Sequence, residues 1–259
     1  MNTSELRGVI LAGGTGSRLF PLTKVTNKHL LPVGREPMIF HPIRKLTEAG
    51  VREILIVTGT EHMGDIVGLL GSGRDFGCEF TYRVQDEAGG IAQALGLARP
   101  FGRGGRLVVI LGDNIFERSI ASYADDYRRQ PSGAKILLQE VDDPGRYGVA
   151  VTVGKHVTQI IEKPKDPPSR MAVTGIYFYD GDVFGIIDGL RPSRRGELEI
   201  TDVNNAYIAR SDLTFDILPG WWTDAGTMES LRRANDLCAC GSDGGPRQTL
   251  RSTFAEVKA

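Results

Sequence analysis

Several residues in the chain are suited to handling phosphates and a divalent cation, and each follows an apolar run. Val9-Ile10-Leu11-Ala12 leads straight into Gly13-Gly14-Thr15-Gly16-Ser17-Arg18-Leu19. Glycines let backbone N–H groups turn toward a bound anion because no Cβ blocks the approach. Arg18 adds a permanently charged fork that matches phosphate oxygens. Two common phosphate motifs are absent. No Gly-Lys-Ser/Thr follows, and Leu19 stands where a dinucleotide fingerprint has its third glycine, which disfavours an NAD-dependent dehydrogenase. Gln85 closes another run, and its amide can donate and accept on one planar base edge. Asp113 follows Arg106–Leu111 through Gly112. It can cap a following helix or hold Mg²⁺, whose hard charge takes carboxylate oxygens together with substrate phosphates. Asp224, in Trp221-Trp222-Thr223-Asp224-Ala225-Gly226, reads by itself as the cap of a helix beginning near Thr227. No Ser/His/Asp or Cys/His arrangement suggests a covalent nucleophile.

The elements that must position these residues follow from the hydrophobic pattern. Short apolar runs bounded by glycine read as buried strands. Such strands fall at Val9–Ala12, Arg52–Thr58, Cys78–Val84 and Arg106–Leu111. Helical patterns lie between them, over Pro37–Gly50 and Glu61–Leu70. This βαβαβ order predicts an α/β fold, a mostly parallel central sheet flanked by helices in a Rossmann-like arrangement. Tyr147–Val153 and Val157–Glu162, joined at Gly154-Lys155, predict an inserted antiparallel portion with a further strand at Ala172–Tyr179. Thr201 or Asp202 is expected to cap a helix running to Arg210. Asp212–Leu218 reads as a strand and Met228–Cys238 as a helix. One domain over residues 1–240 is expected, with a first half of about 1–115 and a second of about 116–240, and a loosely ordered tail at 241–259.

Composition narrows the classes. The formal net charge of −1 gives no global attraction to nucleic acid or to an anionic membrane. Cys78, Cys238 and Cys240 are too few, and wrongly spaced, for a structural zinc site; they read as thiols in a reducing compartment. Met1–Gly8 does not resemble a signal peptide, and no apolar run approaches the ~20 residues of a membrane span. A cytoplasmic protein is expected.

The continuation of the first loop, Pro21-Leu22-Thr23 and then Asn27-Lys28-His29-Leu30-Leu31-Pro32-Val33, resembles the signature of sugar-1-phosphate nucleotidylyltransferases, and most closely that of glucose-1-phosphate thymidylyltransferases. The resemblance runs from residue 7 to about 238. It implies transfer of a nucleotidyl group from a nucleoside triphosphate, with dTTP expected, to a sugar 1-phosphate, with glucose 1-phosphate expected, giving a nucleotide sugar and pyrophosphate. Leu11, Gly13, Gly14, Gln85, Gly90 and Asp113 are thereby placed around the nucleotide. Arg18, Lys28 and Lys163 become the catalytic cations, and Asp113 with Asp224 the Mg²⁺ pair. Asn114, Gly148, Glu162, Lys163, Val173 and Tyr177 surround the sugar phosphate.

Two positions depart from the thymidylyl pattern: Gly89 replaces its usual aspartate, and His29 the glutamine after the signature lysine. Both leave UTP, another triphosphate or a different sugar phosphate open. A non-catalytic sugar-nucleotide sensor of the same fold would lack one of Arg18, Lys28, Asp113, Lys163 or Asp224, and all five are present. Longer relatives use extra C-terminal helices for subunit contacts; a homo-oligomer is left open.

The cations of the two halves should fail differently. Lys28→Ala is expected to impair mainly use of the triphosphate, and Lys163→Ala mainly use of the sugar 1-phosphate. Steady-state kinetics with each substrate varied in turn checks this; one shared substrate defect would remove the division.

Overall fold

The computed structural model describes residues 5–240; the expected tail at 241–259 lies outside them. The strands are β1 (Leu6–Ala12), β2 (Pro32–Val33), β3 (Glu36–Pro37), β4 (Glu53–Gly59), β5 (Glu79–Gln85), β6 (Arg106–Leu111), β7 (Asn114–Phe116), β8 (Ala134–Glu140), β9 (Gly148–Val153), β10 (His156–Glu162), β11 (Met171–Tyr179), β12 (Leu213–Ile217) and β13 (Trp222–Asp224). The main sheet runs β10-β9-β11-β6-β1-β4-β5, with β8 paired to β11 and β12 to β8. Strands β5, β4, β1 and β6 are mutually parallel. The antiparallel pairing of β11 with β6 joins the expected first and second halves into one sheet.

From Gly8 to Ala12 β1 is uninterrupted by polar side chains because both of its faces are covered. Val9 and Leu11 point into one core with Leu55, Val57, Leu107 and Val109. Leu6, Ile10 and Ala12 point into the other with Ile54, Ile56, Val108 and Ile110. Helices Phe40–Glu48, Met63–Leu70 and Ala121–Arg129 cover that second face, through Ile43, Leu46, Ile66 and Tyr127. Helices Ile91–Gly96, Val183–Asp188 and Ile200–Ala209 cover the first. The outcome is the expected α/β architecture, with added antiparallel strands.

Strand order places the site. β4 lies on one side of β1 and β6 on the other, so the chain reverses direction across the sheet at β1. Crevices of open α/β sheets form at the carboxyl ends of strands at such a reversal. There the structure gathers Gly13 after β1, Gly59 ending β4, Gln85 ending β5, and Gly112-Asp113 after β6. Beyond β6 the chain forms β7, which pairs with the distant β13: Asn114 lies opposite Asp224 and Phe116 opposite Trp222. The Ala225 N–H donates to the Asp113 carbonyl at 2.8 Å, extending the ladder to Asp113.

Two capping expectations are corrected. Thr201 and Asp202 do not cap the helix they begin; Glu199 occupies the cap position, and the Thr201 hydroxyl donates to Glu162 Oε2 at 2.6 Å. The last helix starts from Thr227 and Ser230, which exchange side-chain and backbone hydrogen bonds. Asp224 therefore has no capping task.

His29, one of the two departures from the thymidylyl pattern, is buried beneath the crevice at 1% exposure. Its Nδ1 and backbone N–H both face Asn27 Oδ1, at 2.8 and 2.9 Å. Its ring fills the space where a Cβ on Gly112 would stand, 2.7 Å from Cδ2. Burial, reinforced by the neighbouring Lys28 ammonium, pushes the imidazole down from 6.5 to about 3. Between pH 6.5 and 3 the unfolded chain therefore binds a proton at His29 that the folded chain refuses, so stability falls as pH falls through that window, by up to about 1.4 kcal/mol per pH unit. Denaturant unfolding of wild type and His29→Gln from pH 7 to pH 4 is expected to show the variant losing less stability on acidification. Parallel losses would refute the buried neutral imidazole.

Candidate active site

A cavity of about 210 Å³ opens at the carboxyl ends of β1, β4 and β5, lined by Gly14, Thr15, Asn27, Lys28, Gly59, His62, Gln85 and Asp86. Gly13 is required here by close approach, since a Cβ on it would stand 2.7 Å from Gln85 Oε1. The Leu11 carbonyl accepts from Gly112 N–H at 2.9 Å, closing the base of the loop onto β6. Gln85 is buried, and its Nε2 donates to Gln93 Oε1 at 2.7 Å and to the Gly90 carbonyl at 3.3 Å. The expectation that Gln85 offers a ligand both a donor and an acceptor is corrected, because both amide hydrogens are already engaged.

The carboxylates lie at the next step along the crevice. Asp113 Oδ2 accepts from Lys28 Nζ at 2.6 Å, and Oδ1 from Asn114 Nδ2 at 3.1 Å. Burial alone would raise this carboxyl. The Lys28 ammonium and the two hydrogen bonds outweigh it and hold Asp113 well below the usual carboxylate range. Asp224 Oδ1 accepts from Tyr147 OH at 3.0 Å and Arg146 at 3.3 Å. Gly226 marks where the groups converge. A Cβ placed there would lie 3.2 Å from the Arg18 guanidinium and 3.4 Å from both Asp113 Oδ2 and Asp224 Oδ2. The two carboxylate oxygens are thus no farther apart than twice 3.4 Å. Among the described residues no cluster of three or more His, Cys, Asp or Glu could hold a metal alone. A pair of carboxylates around a residue without a side chain suits a cation that takes its remaining oxygens from substrate and water.

The expected sugar-phosphate residues divide into two kinds. Gly148 lies opposite Glu162 in the β9–β10 pair, and Glu162 also accepts from Thr201 and, at 3.2 Å, from Arg195. Lys163 Nζ is 3.7 Å from Glu162 Oε1 and nearly half exposed. Its backbone has φ +43°, a strained conformation for a residue with a side chain, held by its N–H donating to the Tyr147 carbonyl at 3.0 Å. Val173 and Tyr177 are nearly buried on β11. Burial, then the charges of Glu162 and Asp113, raise the Tyr177 phenol, which stays neutral between the two. Asn114 is 2% exposed, and its Oδ1 accepts from Gly175 N–H at 2.8 Å and Trp222 Nε1 at 2.7 Å. Its Nδ2 donates one hydrogen to Asp113 Oδ1 and so orients that carboxylate; the second hydrogen has no partner among the described residues.

Residues missed from sequence explain how the halves connect. Tyr147 holds Lys163 by its carbonyl and Asp224 by its hydroxyl, so one residue links the exposed cation to the carboxylate pair. Its phenol, raised by burial and by Asp224, remains a donor. Arg146, Gln93 and Arg195 were likewise unassigned. Gly59 and Thr60, which line the cavity, were within reach of the strand-end rule that singled out Gln85. Tyr147 carries no such signal, because its neighbours come from three separate stretches.

The chain is similar to known proteins along most of its length. Residues 7–239 match the family model described as nucleotidyl transferase. A glucose-1-phosphate thymidylyltransferase of Xanthomonas campestris is 43% identical over 238 residues, spanning 89% of this chain and 80% of that protein. The low-salt glycan biosynthesis nucleotidyltransferase Agl11 of Haloferax volcanii is 40% identical over 234 residues, covering 90% of this chain; the chain spans 66% of that relative's length. A Bacillus anthracis protein assigned as a glucose-1-phosphate thymidylyltransferase, solved with sucrose, superposes with a TM-score of 0.89 at 58% identity, over 95% of this chain and 98% of that one.

Proposed function

Since the chain belongs to the nucleotidyl transferase family, we propose that it joins dTTP and glucose 1-phosphate to give dTDP-glucose and pyrophosphate. The observation that carries the reading is the convergence of Arg18, Asp113 and Asp224 on Gly226, with Lys28 on one side and the Tyr147–Lys163 link on the other. Relatives named as glucose-1-phosphate thymidylyltransferases support the choice of substrates.

A phosphate monoester with a second pKa near ~6 is largely dianionic at neutral pH. Its oxygen attacks the α-phosphorus; the bond from that phosphorus to the bridging oxygen breaks, and pyrophosphate leaves. No general base is needed. The difficulty is bringing two polyanions together, so positioning and charge neutralisation do the catalysis. Arg18 and Lys28 serve the triphosphate and its departing pyrophosphate, and Lys163 the attacking phosphate. Asp113 and Asp224 would hold Mg²⁺, which supplies Lewis-acid charge to phosphate oxygens. Lys28 then divides its ammonium between Asp113 and the triphosphate.

A pyrophosphate-release screen of nucleoside triphosphates against a panel of sugar 1-phosphates tests the reading. dTTP with glucose 1-phosphate is expected to be best, and UTP measurable, since the thymine methyl contributes on the order of 1 kcal/mol when buried. Purine triphosphates should be poor. Gln85→Ala should impair dTTP and UTP alike and narrow their lead over ATP. If ATP is the best substrate, the base assignment falls.

Asp113→Asn and Asp224→Asn keep side-chain shape and remove a charge. Each is expected to lose at least ~100-fold in Mg²⁺-dependent turnover while remaining folded. Near-normal turnover in either folded variant would dismiss that residue as a ligand.

A further inference from the structure

Gln85 and Gln93 form a chain of amides whose polarity a backbone group dictates. The Gly89 N–H donates to Gln93 Oε1 at 3.2 Å. Gln85 Nε2 donates to that same oxygen at 2.7 Å and to the Gly90 carbonyl at 3.3 Å. A carboxamide turned end for end keeps its shape, so its orientation is decided by the surrounding network. Turning Gln93 would set its NH₂ against the Gly89 N–H and the Gln85 NH₂, donor against donor. Turning Gln85 would set its oxygen against Gln93 Oε1 and the Gly90 carbonyl, acceptor against acceptor. Either reversal leaves sheltered polar groups unpaired.

With both amide hydrogens used, Gln85 has only Oε1 left for a ligand. That oxygen receives no hydrogen bond among the described residues, is not sealed from the cavity, and faces the open side of Gly13. We propose that Gln93 is a positioning residue that locks Gln85 with its acceptor outward, making the base site selective for an imide edge. Thymine and uracil bring an N3–H to such an acceptor, whereas cytosine brings a bare N3 lone pair. Gly89 belongs to the device. A Cβ there would stand 2.4 Å from Gln93 Cδ and Nε2, so the missing side chain is the seat of the Gln93 amide. The inference rests on the base-reading role proposed for Gln85.

The test is equilibrium binding of dTTP and dCTP, without sugar phosphate, to the full chain as wild type, Gln93→Leu and Gln93→Glu. Wild type is expected to prefer dTTP by at least about 100-fold, because a site built around one hydrogen bond rejects the analogue that cannot make it. Gln93→Leu removes the shorter of the two bonds that hold the Gln85 NH₂, leaving only the 3.3 Å bond to the Gly90 carbonyl against its turning toward cytosine N3, and should narrow that ratio at least about tenfold. Gln93→Glu offers oxygens to the same two N–H groups and should keep the ratio. The ratio taken within one variant is independent of the folded fraction, so a merely structural role for Gln93 would not move it. A wild type without preference, a Gln93→Leu variant with undiminished preference, or a Gln93→Glu variant narrowed as far as Gln93→Leu would each overturn the lock. If wild type releases no pyrophosphate while the binding ratios follow the expected pattern, the catalytic reading fails and the lock stands.

Discussion

Two carboxylates held close together, each largely shielded from water, repel one another and pay heavily for lost hydration unless cations and hydrogen-bond donors surround them. The site depends on meeting that constraint at Asp113 and Asp224. Lys28 and Asn114 serve the first, Arg146 and Tyr147 the second, and Arg18 approaches both at Gly226. Three cations around two anions leave a local excess of positive charge, although the whole chain carries a formal −1. That excess is what a triphosphate and a sugar phosphate require, and it exists only in this crevice geometry.

The scaffold is correspondingly stiff. Asp113 follows directly after a strand buried on both faces, and the β7–β13 ladder fixes Asp224 through the backbone. Asn114 secures the junction by binding Gly175 on β11 and the indole of Trp222 on β13. Removing buried aliphatic groups from such a core typically costs ~2–5 kcal/mol each. Exposure remains at the rim: Arg18 and Lys163 are both exposed, and Lys163 sits on a strained backbone that Tyr147 restrains. Positions of this kind persist when the surrounding structure over-determines them.

The amides around Gln85 obey a different rule. Near the carboxylates charge decides. At Gln85 the polarity of neutral amides decides, set from the Gly89 backbone through Gln93. The departures from the thymidylyl pattern at His29 and Gly89 acquire distinct meanings in this light. His29 packs beneath Gly112 as a neutral core residue, while Gly89 leaves room for the Gln93 amide through its lack of a side chain.

The amino-acid sequence by itself determined the elements and the residue types. Apolar runs ended by glycine revealed the parallel strands, because burial on both faces requires unbroken apolar sequence, and the strand-end rule singled out Gln85 and Asp113. The three-residue β7 and β13 were not assigned, since so short an element carries little periodic signal; the strand Ala134–Glu140 and the helix Ala121–Arg129 were not assigned either. Only tertiary structure decided that Asp113 and Asp224 meet, that Asn114 and His29 serve the interior, that Thr201 binds Glu162 in place of capping its helix, and that Tyr147 joins the two halves. The physical reason is shared. Each of these depends on a partner far away in the chain, and local propensity contains no information about which distant strand will close the ladder.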